Sequence, residues 1–432
     1  MIAVGDSLEC RVESLAYGGD GVARADGMVV FIPGTLPEET VTARVILKKK
    51  NYARAELLDV IESSPRRIKP CCRVADPEDG ALCRVPGCVY DHLDYAAEVE
   101  AKQLQLEGFL RRMPGIEDAG ILQPLPSPLP LHYRNKIVLH TKRAVRGMRL
   151  GYMLEQSHRL MEIPACPLAC EAINTALAEL LASDATHTLR EGANITFRHT
   201  PQDGALCWAD SGRPLPPPHA ALLTENTPAG ALRVPCDGFF QVNPQVGDEL
   251  TRTVAAWFAE GPPAPEVLDL FCGIGVLGFA CMAAGGASLT GVESGRAAVA
   301  AARLNAGSLG VPATFICGEI GRDSDSWTAR IKNPDTATAI VDPPREGLPP
   351  SVATMLAASG IRRIFYVSCA PATLARDLHI LLRGPYRIRR VKMFDMFPRT
   401  AHFETLVEMQ QVCPAFPRPR ISRAKPREAN GG

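Results

Sequence analysis

The chain has 432 residues, 46% of them apolar, and carries 47 basic and 47 acidic side chains. That length exceeds what one ordinary core organises, so two to four domains are expected, and the apolar fraction is that of a soluble globular protein. The charge balance excludes any argument from bulk charge for a nucleic acid or a membrane as partner, leaving only local runs to inform.

Met1–Cys10 lacks the basic start and apolar core of an export signal. The chain therefore reads as cytoplasmic, and its fourteen cysteines as core, catalytic or metal-bound thiols rather than disulfides. Residues 1–63 read as all-β. Val4–Val12, Gly27–Ile32, Glu39–Leu47 and Arg54–Ile61 alternate apolar with polar residues, separated by turn signals at Gly18-Gly19-Asp20-Gly21 and Pro33-Gly34. Short strands packed so densely predict a small OB-like barrel, a fold that often binds oligonucleotides. Lys48, Lys49 and Lys50, flanked by Arg44 and Arg54, read equally as a nucleic-acid contact or as a solvated face.

Residues 64–95 change character: Cys71, Cys72, Cys83 and Cys88 fall among Pro, Asp and Gly with little periodicity. Ala96–Met113 predicts a helix with Leu104, Leu106, Phe109 and Leu110 on or near one face, and Pro124–Pro130 a proline-rich linker. Residues 131–235 predict a mixed α+β segment, with strands at Lys136–His140, Leu150–Tyr152 and Asn194–Arg198 and a helix at Ala172–Leu181. From about Pro235, strands alternate with helices: Val267–Phe271, Val276–Ala284, Ser288–Val292, Ala297–Ala306, Thr314–Cys317, Ala339–Val341, Ser351–Ala358, Arg363–Val367 and Leu374–Leu382. That alternation predicts a doubly wound parallel sheet, closed by a strand at His402–Met409. The uncharged run between Asp269 and Glu293 has the length of a membrane span, but its Gly, Ala, Ser and Thr fit a turn, a buried helix and a strand. After Cys413 a basic, proline-rich tail is expected to be disordered. The organisation so read is a barrel at 1–63, a cysteine-rich and central α+β region at 64–235, a Rossmann-like domain at 236–412 and a tail at 413–432.

Three segments converge on the carboxyl edge of that sheet, where α/β proteins bind ligands. Asp269–Gly278 is strand, glycine turn and helix start, with Gly273, Gly275 and Gly278 allowing close backbone approach; Glu293 ends the next strand, where a carboxylate can accept ribose hydroxyls. The spacing alone fits a nicotinamide cofactor as well as S-adenosylmethionine. Asp269 before the turn and Asp342-Pro343-Pro344 after a later strand favour a methyltransferase. Arg345 stands where amino-methyltransferases place a base-stacking aromatic, which argues against direct attack by an exocyclic nitrogen. Cys369 follows a β-prone run and precedes a helix start, a position expected to lower a thiol pKa; Glu404 is the candidate base.

In combination, Phe240–Asn243, Asp269–Gly275, Asp342–Arg345, Ser368–Thr373 with Arg376-Asp377, and Phe397-Pro398 through His402–Glu404 resemble the RNA uracil-5 methyltransferases. The likeness is greater to the 23S rRNA branch with a TRAM domain and an iron–sulfur cluster, and it covers residues 1–410. The resemblance implies S-adenosylmethionine-dependent methylation of uridine C5 in structured RNA, 23S rRNA being favoured over tRNA, with no membrane partner. Cys369 would add to C6 and Glu404 would remove the C5 proton, while Gln241, Phe271, Glu293 and Asp342 contact cofactor or uracil. The family often has Asn where Val276 stands. A [4Fe–4S] cluster would rest on Cys72, Cys83, Cys88 and Cys166, with longer ligand spacings than usual, and Cys72 is preferred to Cys71 because Arg67-Ile-Lys-Pro70 fits that register. Zinc on the same four residues, or unligated thiols, are the alternatives. A catalytically inactive RNA-binding or assembly factor and a nicotinamide oxidoreductase are the other readings of the whole chain.

Overall fold

The computed structural model describes residues 2–75, 82–143, 147–154, 159–210, 222–322 and 330–412; the expected tail at 413–432 lies outside them. Strands β1 (Ser7–Leu15), β2 (Gly21–Ala25), β3 (Met28–Ile32), β4 (Thr40–Lys48) and β5 (Tyr52–Glu62) close into a barrel in the order β1-β2-β3-β5-β4. Alternate residues such as Val12, Ala23, Val30, Val41 and Ala53 fill its interior, as the period of two requires. β2 was not foreseen, because it begins inside the glycine-rich turn. Gly21 is needed there: a Cβ would lie 2.0 Å from Thr35 Oγ1. The lysine run sits at the tight β4–β5 hairpin, Lys49 N donating to Tyr52 O at 2.8 Å. Arg44 is paired with Glu56, and Arg54 with Asp20 at 2.7 Å.

The cysteine-rich stretch forms a hairpin, β6 (Arg73–Ala75) with β7 (Leu82–Arg84). Helix α1 (Tyr95–Leu110) follows, capped by Asp94, whose side chain accepts from Ala97 N at 3.0 Å. Its inward face carries Glu98, Lys102 and Gln105 as well as Leu106 and Leu110, whereas Leu104 is 67% exposed and does not share that face. The buried polar residues explain why apolar periodicity placed Leu104 wrongly. Val99, Leu106 and Leu110 pack into the same core as the Rossmann-like sheet. β8 (Gly120–Ile121) joins the edge of that sheet, and the proline-rich stretch after it is strapped to β21 (Tyr386–Phe394) by Leu125 N donating to Met393 O at 2.8 Å.

The central region is a five-stranded antiparallel sheet, order β11-β10-β9-β12-β13, built from β9 (Lys136–Arg143), β10 (Met148–Met153), β11 (Leu160–Glu162), β12 (Asn194–Thr200) and β13 (Gly204–Ala209). Helix α2 (Glu171–Ala182) covers one face through Ile173 and Leu177. A separate hairpin, β14 (Leu222–Thr227) with β15 (Gly230–Pro235), leads to α3 (Pro244–Glu260), which starts on an Asn243 cap with Pro244 in its first turn.

The remaining elements are β16 (Glu266–Leu270), α4 (Val276–Ala283), β17 (Ser288–Glu293), α5 (Arg296–Leu309), β18 (Ala313–Cys317), β19 (Thr338–Val341), a helix at Pro350–Ala358, β20 (Arg363–Ser368), a helix at Pro371–Leu381, β21 and β22 (Glu404–Gln411). They form an eight-stranded sheet of order β18-β17-β16-β19-β20-β22-β21-β8 with an apolar core on each face. The parallel sheet expected from the strand–helix alternation is present in β18-β17-β16-β19-β20, and the expected closing strand lies inside the sheet. β22 inserts antiparallel between β20 and β21, because a short return from β21 cannot supply the crossover that a parallel neighbour needs. Among the described residues no helix is long and apolar enough to cross a membrane; the uncharged run is a turn, α4 and β17.

Candidate active site

β16 ends in a turn that only a few residue types adopt easily: Phe271, Gly273 and Gly275 have φ of 62°, 54° and 94°. At Gly278 a Cβ would lie 2.8 Å from Asp269 Oδ2, so the missing side chain lets the helix start close on the strand. Asp269 Oδ2 accepts from Gly278 N at 3.0 Å while Oδ1 is buried without a partner. Burial pushes its carboxyl up to about 8, against the Gly278 hydrogen bond. Asp269, Phe271, Val276, Gln241 and Asp342 line one cleft of about 720 Å³, counting its open mouth. The Phe239–Gln241 segment between β15 and α3 also lines it, with Phe239 75% exposed. Glu293 stands behind the turn. Its carboxylate accepts from Gly273 N at 3.2 Å and Gly295 N at 2.7 Å, which fixes it at the strand end.

Asp342 leaves β19 at the floor of this cleft, and burial raises its carboxyl to about 7. The adjoining strands bring the other two candidates in. Ser368 of β20 is registered against Thr405 of β22, so the next positions along the two strands, Cys369 and Glu404, are neighbours, close enough for the carboxyl to act on the thiol. Glu404 is only 4% exposed and its Oε2 has no hydrogen-bond partner. Burial first, then Asp342, pushes its carboxyl well up, opposed by the Arg345 guanidinium. The Cys369 thiol is itself raised to about 11, by burial and then by the Glu404 and Asp342 carboxyls, again opposed by Arg345. The expected lowering by the helix start is therefore outweighed: desolvation and neighbouring acid groups exceed the pull of one short helix and one guanidinium.

Residues that sequence reasoning did not assign a task hold this constellation in place. Asp377 is buried and accepts from Leu348 N at 2.7 Å, Tyr366 Oη at 2.6 Å and Arg376 Nε at 2.8 Å. Arg376 donates to Glu346 O at 2.7 Å, and Thr373 Oγ1 to Arg345 O at 3.1 Å. The helix after Cys369 thereby fixes the loop after Asp342. The loop before Glu404 is held from α1. Lys102, fully buried, donates to Glu98 Oε1 and Asp395 Oδ1, both at 2.7 Å, and to Phe397 O at 3.2 Å. Arg399, at φ 67°, donates its N–H to Glu98 Oε1 at 2.6 Å and its guanidinium to Leu93 O at 2.7 Å. Two acids and a base at i, i+4 spacing and 293 residues away leave no local signature; only Glu98 and Lys102, four apart, were a visible pair.

The structure brings Cys72, Cys83, Cys88 and Cys166 into one core cluster of the central region, the first, third and fourth at 2% exposure or less. Cys88 Sγ lies 3.0 Å from Cys72 Sγ, and Tyr152 Oη 3.4 Å from Cys166 Sγ. The Cys71 thiol lies 3.5 Å from Asp91 O and is also hydrogen-bonded to the Cys72 side chain. Among the described residues no group of three or more His, Cys, Asp or Glu is spaced to hold a metal ion as it stands.

Residues 328–412 match the tRNA (Uracil-5-)-methyltransferase family, and residues 3–58 match the TRAM domain family. An uncharacterized RNA methyltransferase of Thermosynechococcus vestitus is 29% identical over 93% of this chain and 97% of its own length. The 23S rRNA (uracil(1939)-C(5))-methyltransferase of a Shewanella species is 31% identical over 92% of this chain and 94% of its own. Among solved structures, the Pyrococcus abyssi tRNA (uracil-54, C5)-methyltransferase in complex with S-adenosyl-L-homocysteine has a TM-score of 0.71, with 22% identity, 93% of this chain and 100% of that one covered. At that identity the likeness is one of fold.

Proposed function

This chain belongs to the RNA (uracil-5-)-methyltransferase family, and on that premise we propose that it methylates C5 of a uridine in 23S rRNA, with S-adenosylmethionine as donor and Cys369 as transient nucleophile. The observation that supports the chemical part is the register of β20 on β22, whose continuation makes Cys369 and the buried Glu404 carboxyl neighbours. Uracil C5 is a weak nucleophile. Addition of the Cys369 sulfur to C6 makes C5 electron-rich, and C5 then takes the methyl group while the donor leaves as S-adenosylhomocysteine. Glu404 removes the C5 proton, and the electron pair expels the Cys369 sulfur. Gln241, Phe271, Glu293 and Asp342 hold donor and uracil.

The raised acids suit this order of events. A sulfonium bound over Asp342 places positive charge where burial disfavours carboxylates, so donor binding draws both Asp342 and Glu404 toward their ionised forms. Arg345 favours the thiolate at the moment of attack. The barrel, residues 1–63, and the central region, 64–235, grip the RNA, and residues 236–412 carry the chemistry on a uridine turned out of its stack.

RNA containing 5-fluorouridine tests the mechanism, because fluorine at C5 cannot be removed as a proton. With donor present, the wild type gives a complex that survives denaturing electrophoresis and Cys369→Ala gives none. Full activity in Cys369→Ala would end the covalent reading. Mapping 5-methyluridine in 23S rRNA and in tRNA from a deletion strain separates the rRNA assignment from the tRNA one, and absence of any change leaves the inactive assembly factor.

For the cysteine-rich core the reading is a [4Fe–4S] cluster on Cys72, Cys83, Cys88 and Cys166. Its support is the donor set: four thiols without a nitrogen or carboxylate among them, three deeply buried, and two with sulfurs in contact although not bonded as a disulfide. Such a cluster would supply a cross-link between the β6–β7 hairpin and the central sheet. Iron content and a broad visible absorbance in anaerobically purified protein test it; zinc, or no metal, would replace it.

A further inference from the structure

Tyr17 lies in the barrel, on the turn between β1 and β2, yet its ring sits at the catalytic end of the Rossmann-like sheet. It is wedged edge-on between Phe109 of α1, at 5.6 Å between centroids, and Phe403, at 6.2 Å. Phe403 immediately precedes Glu404 and is fully buried. The Tyr17 hydroxyl reaches His402 Nδ1 at 3.4 Å. Burial, then Arg345, depresses His402 to about 4, so the ring is neutral at physiological pH and Nδ1 can accept the phenol proton.

The turn is built to present this side chain. Gln105, buried in α1, donates to Ala16 O at 3.0 Å and to Tyr90 Oη at 2.9 Å. Gly19, at φ 93°, lets the turn close on the cysteine-rich segment, where a Cβ would lie 2.7 Å from Val89 Cβ. Arg54 ties Asp20 back to the barrel at 2.7 Å. Four parts of the chain distant in sequence therefore fix one phenol against the two residues before the candidate base. The Cys369 thiol and the Arg345 guanidinium are among the charges that the phenol feels.

We propose that Tyr17 is a positioning residue for the reaction: through Phe403 and His402 it sets Glu404 over the proton it removes, so that the RNA-gripping barrel forms one wall of the catalytic machinery. The inference rests on the covalent route proposed above. Aromatic edge contacts and a hydroxyl hydrogen bond restrain a loop that otherwise leads into β22 from a bend. Tyr17 does not line the donor cleft, and Cys369 is held by its own strand end and the helix after it, so the step that suffers without these contacts is elimination.

Tyr17→Ala and Tyr17→Leu test this, the second keeping apolar volume should the first fold poorly, with Tyr17→Phe keeping the ring alone. Each is assayed on natural and 5-fluorouridine RNA. The expected result for Ala and Leu is a fluorouridine adduct within twofold of wild type, a turnover at least tenfold lower, and a covalent complex accumulating on natural RNA. Phe should recover most of the turnover. Hydrogen exchange at the Phe403–Thr405 amides should quicken in Ala and Leu. Wild-type turnover without trapping in these variants overturns the proposal, as does loss of turnover and fluorouridine adduct in equal proportion, which marks a general structural role. Absence of the fluorouridine adduct in wild type would instead remove the covalent route, and unchanged exchange at Phe403–Thr405 would then overturn the positioning role by itself.

Discussion

Replacing Lys102 by Met removes the one ammonium that joins α1 to the loop before Glu404. Lys102, Glu98 and Asp395 are all 0% exposed, and three acceptors satisfy the three ammonium protons. Breaking such a buried set by deleting one partner costs about 3–5 kcal/mol, because the remaining charges stay desolvated. The cost depends on pH in a definite direction. Burial holds Glu98 up at about 7 even with the ammonium beside it. Once Lys102 is gone its folded pKa rises further, while its unfolded value stays near the ordinary carboxylate range. A folded state that binds more protons than the unfolded one loses stability as pH rises. Between pH 6 and pH 8 the wild type already loses part of this contribution through Glu98, so the deficit of Lys102→Met should widen by about 1 kcal/mol over that range. Hydrogen exchange at the β22 amides, which lie directly beyond the loop, reads the difference at both pH values. A deficit below about 1 kcal/mol at pH 8, or one that shrinks as pH rises, would refute the argument that the triad is a desolvated ion set restraining this loop.

Glu404→Gln should fold as well as wild type, since the amide is close in shape to the neutral acid that burial favours, while turnover falls by about 10²–10⁴ and a covalent complex with natural RNA persists on a denaturing gel. In the free enzyme, alkylation of Cys369 should follow a thiol titrating near 11; Arg345→Gln should move that midpoint higher, and a midpoint at or below 9 in wild type would contradict the burial argument. Asp377→Ala leaves the Leu348 amide and the Tyr366 hydroxyl without their acceptor, a loss of about 2–4 kcal/mol for two buried donors, measurable as a lower thermal midpoint and a weaker affinity for S-adenosylmethionine.

The strand alternation of residues 1–63, the glycine turn with its flanking acids and the placement of Cys369 at a strand end were legible because each is a local pattern: a period of two, a run of residues that tolerate positive φ, a proline after an apolar run. These local patterns determine which residues lie at the carboxyl edge of the sheet. They do not determine which of them meet. The apolar pattern puts Leu104 on or near one face of α1 with Leu106, Phe109 and Leu110, whereas the buried face combines Val99, Leu106 and Leu110 with Glu98, Lys102 and Gln105; a face stabilised in part by ion pairs with partners nearly 300 residues away has no full apolar period to read. The pattern at His402–Met409 predicts a closing strand, and only the tertiary structure shows that β22 inserts between β20 and β21, which makes the Glu404 and Cys369 positions neighbours. The same burial reverses the thiol's expected acidity, since desolvation depends on what surrounds a group in space and not on its neighbours in sequence. Sequence by itself determined the candidate site residues and the edge they share, because both follow from local patterns; the long-range packing of barrel turn, α1 and the 395–403 loop decided their mutual geometry.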